Sequence, residues 1–103
     1  MSGPHLTVGP GVITEMVRLA AFEVPGVARV GRGGPRWRGF FGRSVHARLQ
    51  GDKVEVRLWI VARPGQELGP LTAHVRSVVA ATVERLLGLE LGGVTVLVDG
   101  IGG

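Results

Sequence analysis

The stretch that decides the fold is SVHARLQGDKVEVRLWIVAR, which runs from Ser44 to Arg63. Apolar and polar residues alternate on both sides of Gly51-Asp52, which is the pattern of two antiparallel strands joined by a tight turn. Pairing Gln50 with Lys53 sets a register in which the apolar side chains of both strands share one face. That face consists of Val45, Ala47, Leu49, Val54, Val56, Leu58, Ile60 and Ala62.

Two helix-patterned segments are available to cover this face. The first is predicted to start at Gly9-Pro10 and to be ended by Pro25-Gly26, with Ile13, Met16, Val17 and Ala20 on one stripe. The second is predicted from about Pro70 to Leu87. The apolar side of the second helix is predicted to contain Leu71, Val75, Val78, Val79, Thr82, Val83 and Leu86. Both helices are expected on the same face of the sheet.

Two further strands complete the predicted architecture. Val27–Val30 is a short strand before the hairpin, and an alternating strand containing Val94, Val96 and Val98 closes the chain. Since a helix links that last strand to the hairpin, a crossover should place it parallel to the second hairpin strand. The sequence therefore predicts an α+β fold, a small mixed β-sheet with two helices packed on one face in the order α-β-β-β-α-β.

Length and composition indicate one domain over residues 1–103, with residues 1–6 expected to be poorly ordered. The chain has no cysteine, which excludes disulfides, thiolate metal sites and cysteine nucleophiles, and favours a reducing cytoplasm. Near its end, the longest charge-free apolar stretch, Leu91 to Val98, is far shorter than the roughly 18 residues of a membrane-spanning helix. We therefore expect a cytoplasmic protein with no export signal or membrane span.

Positive charge is concentrated in the first half of the chain. Six arginines and no acidic residue lie between Val24 and Gly51, whereas the rest of the chain has a net charge of −2. A local basic patch of this kind attracts a polyanion, an anionic lipid surface or an acidic protein face.

The segment from Gly31 to Arg43, GRGGPRWRGFFGR, is the most unusual part of this basic region. Its glycines and proline predict a long loop, and loops of this length are usually functional or disordered. Guanidinium groups bind phosphates, and aromatic rings stack on unpaired bases. The segment could therefore bind single-stranded nucleic acid, a protein or an anionic surface, or pack against the domain edge. The candidate residues are Arg36, Trp37, Arg38, Phe40, Phe41 and Arg43.

The second candidate surface is the face of the hairpin opposite the apolar one. The register places His46, Arg48, Arg57 and Trp59 there, with Arg48 directly across from Glu55. Together with Val61 and Leu97, Trp59 would form an exposed apolar patch of the kind that marks an interface. We expect this face to support self-association or partner binding.

No catalytic or metal-binding pattern is present. His5, His46 and His74 fall on different predicted elements without ligand spacing, and the glycines after Val30 lack the spacing of a phosphate-binding loop. The sequence therefore predicts no enzyme activity, no metal and no cofactor.

Five pieces of the sequence, in this order and spacing, resemble the alkaline-shock protein family, the envelope-stress-response proteins of bacteria. They are Glu23-Val24-Pro25-Gly26-Val27, VEVRLWIVARPG (Val54 to Gly65), a helix with Val75, Val79 and Val83, Gly88-Leu89, and VTVLVDGI (Val94 to Ile101). The resemblance implies a noncatalytic domain linked to cell-envelope homeostasis, self-association or a membrane-anchored partner. Two features depart from the family, namely Pro64-Gly65 in place of an aromatic residue and glycine, and the arginine-rich loop.

These observations lead to one functional hypothesis and one alternative. The hypothesis is a noncatalytic scaffold that forms homo-oligomers and docks partners through the open sheet face and the basic loop, in the cytoplasm or at the membrane through a partner. Its partner would be a membrane-anchored protein or an anionic surface. The alternative is a nucleic-acid-binding module that uses the loop at residues 31–43.

Overall fold

Two helices and four strands form the described part of the chain, which comprises residues 9–31, 44–88 and 90–102 of a computed structural model. In chain order they are α1 (Pro10–Phe22), β1 (Val27–Val30), β2 (Val45–Gln50), β3 (Lys53–Ala62), α2 (Leu68–Leu87) and β4 (Glu90–Ile101). The predicted α+β class and element order are confirmed.

Helix α2 begins two residues earlier than the sequence predicted, at Leu68 rather than Pro70. Pro70 thereby occupies the third helical position, where its missing N–H needs no partner because the first four N–H groups of a helix have none. The helix ends at Leu87 and is capped by Gly88, which adopts a left-handed conformation with φ of 64°.

Strand β3 lies at the centre of a mixed sheet. Strands β1 and β2 pair with it antiparallel, and β4 pairs with it in parallel, as the crossover argument predicted. The hairpin register is also confirmed, because Val45 lies opposite Leu58 and Gln50 opposite Lys53. Gly51 makes the turn with a φ of 64°, a conformation that favours glycine.

Strands β1 and β2 lie end to end along the same edge of β3. Strand β1 pairs with Ile60 to Ala62, β2 pairs with Lys53 to Leu58, and β4 occupies the other edge. The gap between β1 and β2 falls at Trp59, whose backbone oxygen accepts from the Gly31 N–H and whose N–H donates to the Ser44 oxygen. The two strands therefore form one ribbon that is interrupted opposite Trp59.

Bulges in β1 and β4 keep apolar side chains on the inner side. The β1 register shifts between Val27 and Arg29, so Val27 and Val30, three residues apart, both face the core. A similar shift in β4 next to Gly92 lets Leu91 and Val94 both pack against the core.

The core lies between the sheet and the two helices. Its fully buried side chains come from α1, β3 and α2 and include Ile13, Val17, Val54, Leu58, Ile60, Val75, Val79 and Val83. Both helices therefore pack on one face, as predicted. Two residues that the sequence assigned to the apolar side, Leu49 and Leu86, are 42% and 63% exposed. Leu49 does lie on the predicted face, because it pairs with Val54. Both leucines are exposed because each lies one residue from the end of its element, beyond the packed centre.

The same negative charge, introduced on either side of β3, tests this arrangement. Leu58→Asp should lower the free energy of unfolding by several kcal/mol, because it places a carboxylate without a partner in the fully buried core. Arg57→Asp should change it by less than about 0.5 kcal/mol, since Arg57 is exposed on the other side. Urea unfolding measures both, and similar losses for the two variants would contradict the register.

Candidate functional site

The side of the sheet that faces away from the helices, here called the outer face, is open in the described structure. Residues that alternate with the core positions point to it. They are His46 and Arg48 from β2, Glu55, Arg57 and Trp59 from β3, and Thr95 and Leu97 from β4. The register thus places all four predicted sheet-site residues, His46, Arg48, Arg57 and Trp59, on one surface.

A hollow of about 500 Å³ lies in the middle of the outer face. It is lined by His46, Ala47, Arg48, Glu55, Val56, Arg57, Trp59, Gly93 and Thr95. Long side chains on β2 and β3 form its walls, whereas β4 contributes the short Thr95 and the side-chain-free Gly93 next to Glu55. The hollow therefore exists because the β4 residues that line it have short side chains or none, whereas those of β2 and β3 have long ones.

An aromatic contact organises one end of the hollow. The ring centroids of His46 and Trp59 are 5.4 Å apart and the ring planes are inclined by 69°, an edge-to-face arrangement. The two residues are diagonal neighbours, because His46 pairs with Arg57. The Trp59 ring is half-buried and therefore still presents apolar surface to the hollow.

The arginines of the hollow are not neutralised by its glutamate. Arg48 and Glu55 lie directly opposite each other, but their charged groups form no ion pair within 4.0 Å. Within residues 9–31, 44–88 and 90–102, ion pairs join Arg18 to Glu15 on α1 and Lys53 to Glu90 at the sheet end. The hollow contains two arginines and one glutamate, which gives a net charge of +1 with His46 neutral. Its charged groups are available to a ligand.

The Glu15–Arg18 pair, in contrast, belongs to the exposed surface of α1. The Arg18 side chain donates hydrogen bonds to the Glu15 carboxylate and so holds the pKa of Glu15 below its usual value. This pair lies on the helical side of the sheet and takes no part in the hollow.

The six predicted loop residues, Arg36, Trp37, Arg38, Phe40, Phe41 and Arg43, lie outside the described residues. The structure does show where their segment joins the sheet. Gly31, the first residue of the segment, donates to the backbone oxygen of Trp59 at 2.8 Å, and Ser44, which follows the segment, accepts from the Trp59 N–H at 2.9 Å. The arginine-rich segment is therefore attached at both ends beside the hollow.

The predicted apolar patch on the outer face is smaller than expected. Leu97 is 37% exposed, but Val61 is only 6% exposed. Val61 lies opposite Arg29, and Gly102 lies beside it, since a Cβ added to that glycine would be 4.0 Å from Val61 Cγ1. The prediction that Val61 forms part of the open patch is wrong.

Several surface features were missed by sequence reasoning. Glu55, Gly93 and Thr95 were not recognised as lining a hollow, because this depends on the pairing between β3 and β4, which are distant in sequence. An exposed apolar stripe on α1, formed by Val12, Leu19 and Phe22, was also missed, although its helical spacing of seven and three residues could have revealed it.

The described residues contain neither a metal-ligand cluster nor a membrane-spanning helix. Among the described residues, no group of three or more His, Asp or Glu side chains is placed to hold a metal ion. His46 lies on the outer face and His74 on α2, and His5 lies outside the described residues. Neither described helix is long and apolar enough to cross a bilayer.

Solved structures share this architecture. The copper form of MamM CTD matches with a TM-score of 0.57 and 18% sequence identity, covering 87% of this chain and 84% of that chain. A manganese form of a variant of MamM CTD matches with a TM-score of 0.56 and 19% identity, covering 87% and 96% of the two chains. At such identities the likeness shows the fold alone.

Sequence comparison is more specific about ancestry. No curated protein sequence matches the chain. A model of the alkaline shock protein 23 family, described as having a cell envelope-related function, matches residues 3–102. The resemblance seen in the sequence is therefore confirmed, and this protein belongs to the alkaline shock protein 23 family.

Proposed function

We propose that this protein is a noncatalytic docking domain that binds an acidic protein segment on the outer face of its sheet and self-associates. One observation carries the proposal. The hollow combines Arg48 and Arg57, which are not paired with Glu55, with the half-buried ring of Trp59. Arginine and tryptophan are the residue types that most often dominate protein interfaces.

The mixed charge of the outer face favours a protein over a nucleic acid. Glu55 lies beside both arginines of the hollow, opposite Arg48 and two residues from Arg57, and Asp99 lies further along β4 on the same sheet. A nucleic-acid phosphate backbone requires a continuous row of basic side chains and is repelled by carboxylates. A peptide can instead carry carboxylates opposite the arginines and hydrogen-bond donors opposite the protein's carboxylates. An acidic segment with one apolar residue against Trp59 fits this pattern.

The position of the arginine-rich segment supports the same surface. Gly31 and Ser44, between which the six candidate residues lie in sequence, are both hydrogen-bonded to the backbone of Trp59, which lines the hollow. We propose that the six candidate residues add affinity for the acidic partner. Since the family function is cell envelope-related, we further propose that the domain works in the cytoplasm and reaches the membrane through an anchored protein that carries this acidic segment.

Trp59→Ser tests the docking surface directly. It should weaken binding of a fluorescent glutamate-rich decapeptide containing one phenylalanine by about tenfold, or about 1.4 kcal/mol, because it removes the apolar anchor. The matched control is His74→Ser, which changes an exposed ring on α2, on the other side of the sheet, and should leave affinity unchanged. Fluorescence anisotropy measures both, with thermal melts to confirm folding. Equal affinities for the parent and Trp59→Ser would contradict the proposal.

Replacing Arg36, Arg38 and Arg43 with Ser tests the loop and separates the two partner classes. Peptide affinity should fall, while retention of a single-stranded oligonucleotide at low salt should be negligible for both parent and variant. Strong oligonucleotide binding by the parent, with a log-log salt dependence that loses about two to three units in the variant, would establish the nucleic-acid alternative instead. In that case Trp37→Ala should weaken binding to single strands more than to duplexes.

A further inference from the structure

Strand β4 is an unusually exposed edge of the sheet. It is 12 residues long, and among the described residues it pairs with β3 only. Natural edge strands are usually short or carry charges or proline that discourage pairing with another chain. The stretch from Leu91 to Val98 contains no charged residue and no proline.

The regular part of this edge lies between two irregularities. The register with β3 shifts next to Gly92 and again between Val98 and Ile101. Between these points, Gly93 to Val98 continues in unbroken register and offers one side of its backbone to a further strand.

The inward side chains of this segment are incompletely covered. Val94, Val96 and Val98 are only half-buried, although their neighbours on β3, Val56, Leu58 and Ile60, are 3%, 0% and 0% exposed. The apolar layer therefore continues to the edge of the sheet without being closed there. One more strand with the same inward pattern would cover it.

We propose that this strand is β4 of a second copy, paired antiparallel about a two-fold axis at Val96. Opposed residues of an antiparallel pair share a face, and the three inward valines are symmetric about Val96. This axis places Val94 opposite Val98 and Val96 opposite its own counterpart. A one-residue shift of the axis to Thr95 would place Val98 opposite Gly92 instead.

The same pairing is compatible with the remaining side chains. On the outer face it sets Thr95 opposite Leu97 and Gly93 opposite Asp99, so no two like charges are directly opposed. An isologous dimer requires a surface that is complementary to itself. The β4 edge meets this requirement in its pattern of inward valines and in its charge. The occupant is therefore a second copy rather than an unrelated strand.

The β4 pairing rests on the self-association in the proposed function, and it would join two docking surfaces in one dimer. A continuous sheet through two copies would bring both outer faces to the same side, with Gly93 and Thr95 of each hollow close to the axis. Two linked hollows bind a partner with two acidic segments more tightly than either does alone.

A cysteine at the axis provides the first test, because the natural chain contains none. In Val96→Cys the paired Cα atoms of the two copies would be about 4.5–5.5 Å apart, within disulfide range. Mild oxidation should give a covalent dimer on a non-reducing gel. Leu97→Cys is the matched control, since its counterparts across the axis are diagonal and more distant. Random collisions would instead favour the control residue, which is 37% exposed. Equal or faster cross-linking of Leu97→Cys would overturn the proposal.

A charge-swap experiment tests the register itself. Val94→Lys and Val98→Glu should each be monomeric by sedimentation, because an introduced charge would face an apolar valine across the dimer. Mixed in equal amounts, they should form a heterodimer, since the introduced ammonium and carboxylate are then opposed. A mixture that stays monomeric while both variants are folded by circular dichroism would overturn the register.

The parent protein gives a readout that needs no variant. Hydrogen exchange of alternate amides from Gly93 to Val98 should slow as protein concentration rises, because these amides become bonded to the second copy. Exchange that is independent of concentration would overturn the proposal even if the charged variants fail to fold. Failure of acidic-peptide binding with intact Val96→Cys cross-linking would instead count only against the docking surface.

Discussion

The pairing of β3 along both of its edges is the constraint on which the rest of this structure depends. One edge holds β1 and β2 in line, and the other holds β4 in parallel. The inward residues of β3 are also the centre of the core, with Val54, Leu58 and Ile60 fully buried beneath the helices. Because side chains alternate along a strand, this single placement also fixes which residues of β3 reach the outer face.

The outer face follows from that constraint. Register with β3 brings His46 and Arg48 from one side and Gly93 and Thr95 from the other around Glu55, Arg57 and Trp59. The arginine-rich segment joins the sheet at the gap between β1 and β2, where Gly31 and Ser44 hydrogen-bond the backbone of Trp59. Basic groups and an aromatic side chain on one open surface, beside the two residues between which the arginine-rich segment runs, are the basis of the docking role proposed above.

Much of this architecture could be predicted because the decisive signals are local. A period of two around Gly51-Asp52 was sufficient for the hairpin register and for the faces of His46, Arg57 and Trp59. The hollow could not be predicted, because it requires Gly93 to lie beside Glu55, and a bulge determines which residue of β4 does so. The position of Gly102 beside Val61 is likewise a contact between residues distant in sequence, which no local pattern predicts.

The most direct test of the account is a nitrogen-15 NMR titration of the parent chain with the acidic decapeptide. The chain has two tryptophans, and their side-chain N–H signals can be assigned by substituting each one. The account predicts that the indole signal of Trp59 and the backbone amides of Arg48, Arg57 and Thr95 shift together, while those of Arg76 and Ser77 on α2 remain unchanged. Shifts confined to the helices, with Trp59 unaffected, would contradict the assignment of the outer face as the docking surface.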